Sequence, residues 1–159
     1  MAKLTKELQT LWWDWLGTAE RLTQTLHQQT VALTLRRVEQ VESLQPTLEG
    51  LMGKMGEIDD KAAALALRLA EELGAEPNLR SLVNVLEKAE AQQVQALANR
   101  VTVVGRNVQA IIDKNRALIE NEIEFIQGTA AIVMREAADQ TSGYGQTAAS
   151  RNVAVDQAA

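Results

Sequence analysis

The side chains able to do bond-making chemistry are few and badly placed for it. A single histidine, His27, lies among Gln and Thr residues, and the 159 residues contain no cysteine. Metal centres and nucleophilic triads both need several such groups converging on one point, so one imidazole supplies neither. The carboxylates do cluster, as Glu57 with Asp59 and Asp60, and as Glu120 with Glu122 and Glu124. Helical geometry turns neighbours at these spacings in different directions around the axis, which makes them solvated faces rather than a cage for an ion. No glycine-rich phosphate loop and no nucleophile elbow is present. The expectation is a protein that is not an enzyme, with no catalytic residue, no cofactor and no metal. A net charge of −5 without a basic run argues against nucleic acid as a partner. Missing cysteines fit a reducing compartment. No apolar run reaches the roughly 18 residues a membrane span needs, and no basic-then-apolar export signal leads the chain. The expected location is the cytoplasm.

Contact chemistry is what remains, and it sits in apolar spacing. Hydrophobic residues make up 46% of the chain and aromatics only 3%, a composition suited to packed helices and poor in what sheets use. Val94, Leu97, Val101, Val104, Val108 and Ile111 recur at three and four, the stripe of one amphipathic helix. The stripe shifts by one position through Ile112, Asn115, Ile119, Ile123, Ile126, Ala130 and Val133, predicting an uninterrupted helix from about Gln92 to Ala138. At 1.5 Å per residue such a helix needs partner helices along it. A first helix is expected over residues 2–30, on Leu4, Leu8, Leu11, Trp15, Leu22 and Leu26. Trp12, Trp13 and Trp15 span too wide an arc to share one core. Trp13 is therefore expected to be partly exposed, with the other two anchoring an end of the bundle; the alternative is an aromatic contact for a partner.

A second helix is expected from the Thr30–Leu35 region to Leu73, with a kink or short break at Pro46. Gly50, Gly53 and Gly56 follow at spacings of three and suggest a place where another backbone packs closely. Gly74 and Pro77 end this helix, and Asn78 caps a short one through Leu86. A bend is expected over Glu87–Ala91. Residues 139–159 have little to bury and read as a mobile tail. The fold class is all-α: an elongated antiparallel bundle of three long helices and one short one, with residues 1–138 as the helical domain and 139–159 as a disordered tail.

The run from Asn115 to Ile126, with Leu118, Ile119, Ile123 and Phe125 inside it and Tyr144-Gly145 beyond, resembles the C-terminal signature of the FlgN family of flagellar export chaperones. The order of helices resembles that family over residues 4–145. Two features depart from its pattern: Gln146 and Thr147 follow the Tyr-Gly pair, and the Trp12–Trp15 cluster is extra. The resemblance implies a cytosolic chaperone of the flagellar type III secretion system. Its clients would be hook–filament junction proteins, presented to it as C-terminal helical segments and handed on to components of the export apparatus. The chemistry suits that work, since an amphipathic client helix needs only an apolar groove.

The last helix carries more apolar surface than one seam requires. Leu118, Phe125 and Ile132 form one strip, and Ile119, Ile123 and Ile126 an adjoining one. The expected client contacts are Leu118, Ile119, Glu122, Phe125, Ile126, Val133 and Tyr144. Two other arrangements stay open: burial of both strips in the chain's own core, or burial in a homodimer. The rival function is a structural coiled coil or granule-coating helical protein with no client.

Overall fold

The structure, a computed structural model, describes residues 2–140, and among these the chain forms four helices and no strand. They are α1 (Ala2–Thr34), α2 (Val38–Leu73), α3 (Leu79–Val85) and α4 (Lys88–Gln140). The chain divides into two compact units, Met1–Lys114 and Asn115–Ala159. The tail expected from residue 139 lies outside the described residues, apart from Asp139 and Gln140, which complete α4.

In the first unit α1 and α2 form an antiparallel hairpin, and the opening part of α4 runs beside them. The pairing follows from the apolar stripes. Leu4 and Leu8 near the start of α1 cluster with Leu65 and Leu69 near the end of α2, and Leu82 of α3 closes that end. Further along, Trp15, Leu22 and Leu26 meet Leu48, Met55 and Ile58 of α2 together with Leu97 and Val108 of α4. Leu11 and Trp12 pack against both clusters and so join them. The tryptophans therefore mark the junction of two cores. They do not anchor an end of the bundle as expected, because Leu4, Leu8, Leu69 and Leu82 extend the packing a further two turns beyond them.

The α1 interior is unusually polar. Thr18 is fully buried and Thr25 nearly so. Burying an unpaired hydroxyl costs on the order of 1–3 kcal/mol. Each avoids this by donating to the carbonyl one turn back on its own helix, Thr18 to Asp14 and Thr25 to Arg21, both at 2.9 Å.

The helix ends are local chemistry. Gly74 takes the left-handed conformation (φ 65°), and the Ala75 amide donates to the Ala70 carbonyl at 2.9 Å, closing α2 in a Schellman turn. Asn78 caps α3 by accepting from the Ser81 amide at 2.8 Å. Leu86 is extended (φ −80°, ψ 157°), so the bend between α3 and α4 falls at residues 86–87 and α4 starts before the Gln92 expected from its stripe. α1 closes in the same way as α2, but with Arg36 as the left-handed residue (φ 56°): Arg36 and Arg37 donate to Leu33 and Ala32 at 3.2 and 2.8 Å. The helix assignments refine two expectations. Of the kink or break expected at Pro46, no break occurs: α2 continues through it, on an exposed stretch where water can satisfy the carbonyl of Glu42 that loses its donor. Gly50, Gly53 and Gly56 face open space, with no atom within 4 Å of where a β-carbon would stand, so no backbone packs against them.

Candidate functional site

The residues singled out for chemistry stay apart. His27 is exposed on α1. Asp59 has its carboxyl pushed up, first by partial burial and then by the charge of neighbouring Asp60. Among the described residues no group of three or more His, Cys, Asp or Glu side chains converges as a metal site. No described helix is long and apolar enough to cross a membrane.

Contact surface is another matter. In the second unit, residues 115–140 continue α4 as helix, and five of its large apolar side chains are exposed. Ile123, Phe125, Ile126, Ile132 and Val133 are each 48–56% exposed. They fall within about 15 Å of helix at 1.5 Å per residue, so one partner helix of three turns could touch them all. Scattered apolar residues on a surface are ordinary, and it is their grouping that makes these five candidates for contact.

Helical geometry sorts these side chains into two strips. Ile119, Ile126 and Val133 repeat every seven residues, with Ile123 and Ala130 beside them. Leu118, Phe125 and Ile132 repeat at the same interval on the adjoining sector. Glu122 and Thr129 lie along the line between the strips, so the apolar face has a polar spine. Together the strips cover roughly half of the helix circumference. Leu118, Ile119 and Glu122 are half-buried, and Asn115 is buried, while Phe125, Ile126 and Val133 stand out. Tyr144, the remaining expected contact, lies outside the described residues.

Side chains that sequence reasoning missed tie the first unit together around the tryptophans. Arg100 of α4 sits over the Trp13 ring, 5.2 Å from its centroid, a cation–π contact between α1 and α4. Asp14 faces the other way and meets Lys54 of α2 at 3.7 Å. Trp15 points inward, with its indole nitrogen buried and without a hydrogen-bond partner. Three consecutive residues thus address three different neighbours. The pairings depend on the register between helices, which no spacing within one helix reveals.

The FlgN protein family model matches residues 1–152. No curated protein and no solved structure matches the chain. A match over nearly the whole chain, on a structure with the helical order expected of that family, settles the assignment: the chain belongs to the FlgN family of flagellar export chaperones.

Proposed function

We propose that the protein works in the cytoplasm as the export chaperone of hook–filament junction proteins, and that it holds them on residues 118–133 of α4. The observation that supports this reading is the partial exposure of the double apolar strip around Phe125 and Ile126. A client segment that is amphipathic and helical when bound would lay its i, i+3 and i+4 residues along the strips. Glu122 on the spine would fix the client's register through a polar contact. Leu118 and Ile119 would contribute their outer faces, and Tyr144 would join the contact from beyond the helix.

Magnitudes fit a chaperone that must let go. Five half-exposed side chains contribute roughly 1 kcal/mol each when covered, about 5 kcal/mol before any ordering cost. Further contacts can raise this to micromolar affinity, near 8 kcal/mol, without reaching the range of permanent complexes. A client disordered when free meets its ordering cost on binding, which keeps release easy. Delivery to the export apparatus then requires only that a competing surface on it displace the client.

Titrating the purified full chain with peptides from the C-termini of flagellar junction proteins tests the proposal. Micromolar binding accompanied by gain of peptide helicity is the expected result. Absence of binding at millimolar peptide would leave the protein without these clients.

A further inference from the structure

A groove within the first unit has a chemistry different from that of α4's exposed strips. It runs between the start of α1 and the end of α2 and has a volume of about 880 Å³. Its floor is apolar: Leu65 is buried, Leu11 half-buried, and Ala64 adds a small exposed methyl. Its walls are cationic, with Lys3 and Lys6 on α1 facing Lys61 and Arg68 on α2. All four are exposed, and none forms an ion pair with a described residue. Glu7 is the one carboxylate among the lining residues.

Four cations against one anion is a local excess of positive charge in a chain whose net charge is −5. Such an excess is kept at a cost in mutual repulsion and is relieved by an anionic partner. We propose that this groove is a second docking site, taking an acidic amphipathic helix from a partner protein. Lys3, Lys6 and Thr10 lie at i, i+3 and i+7 of α1, and Lys61, Ala64, Leu65 and Arg68 at i, i+3, i+4 and i+7 of α2. Each wall is therefore about two turns, or roughly 10 Å, long. A guest helix of two to three turns fits that length, with its apolar face on Leu11 and Leu65 and carboxylates reaching the walls on both sides. A recessed apolar floor suits a helix better than a lipid surface, which is entered by protruding apolar residues. The sequence beyond residue 140 carries one Arg and one Asp, so it offers no charge match from within the chain.

The test uses the full chain and two dye-labelled peptides of three turns, both with Leu at i, i+3 and i+4. One has Glu at the flanking positions and the other Gln. The Glu peptide should bind at least tenfold more tightly than the Gln peptide, and salt should weaken it. Reversing two walls together, Lys61→Glu with Arg68→Glu, should cost at least a further tenfold, as should the milder pair Lys3→Gln with Lys6→Gln. The control Arg37→Glu, at the opposite end of α1, should leave binding unchanged. Phe125→Asp should also leave it unchanged, which separates this site from the one on α4. Equal binding of both peptides, indifference to the wall variants, tighter binding to phosphatidylserine vesicles than to the Glu peptide, or self-association through the groove would each overturn the proposal.

Discussion

The ring of Trp15 lies over Gly105. A β-carbon built on that glycine would stand 3.5 Å from Cη2 of Trp15, ordinary van der Waals contact and not a clash. The glycine therefore leaves room that a methyl group would fill, at a helical position where glycine costs roughly 0.5–1 kcal/mol against alanine. Gly105→Ala should raise stability by up to about 1 kcal/mol in urea unfolding. Gly105→Leu should lower it, because its further carbons must enter the indole.

The glycines of α2 behave in opposite ways according to conformation. Gly50, Gly53 and Gly56 are helical with open space around them, so alanine at each should add roughly 0.5–1 kcal/mol. Gly74 has equally open surroundings but a φ of 65°, where alanine is strained by about 1 kcal/mol or more. Thermal unfolding of the triple alanine variant and of Gly74→Ala should shift in opposite directions. A triple variant that loses stability would mean a surface contact at those glycines.

These two cases also show what the chain makes legible before it folds. Gly74, Pro77 and Asn78 could be read directly because a cap is made by residues within a few positions of one another. The turn after α1 could not, since Arg36 adopts the left-handed conformation without being Gly or Asn, and only the packing of α1 on α2 dictates a reversal there. The early start of α4 escaped for a related reason. Its first turn is largely exposed and has no apolar phase to announce it. Of the α4 surface, the periodicity gave the two strips but not their exposure. Leu118 and Phe125 have the same helical phase, yet one is half-buried and the other 50% exposed.

Phe125→Asp and Ile126→Asp should each weaken binding of a junction-protein peptide at least tenfold, since each removes apolar contact and sets a charge against the client's apolar face. Both side chains are about half exposed, so helicity by circular dichroism should be unchanged. Loss of helicity would assign these residues to packing, not to clients.

Glu122 and Thr129 separate the two strips on α4. Glu122→Leu removes one of those two interruptions and joins the strips across that turn of the helix. It should convert the protein to a self-associating form, seen as an increase in mass by light scattering at tens of micromolar. A monomeric Glu122→Leu protein with unchanged client affinity would mean that the polar spine has no part in selectivity.

The hydroxyls of Thr18 and Thr25 answer to carbonyls of their own helix, so neither bond depends on α2 or α4. Separation of a neighbouring helix would leave both hydroxyls bonded, so neither threonine decides which helix packs on that face of α1. What they give the interior is shape without a demand for a polar partner.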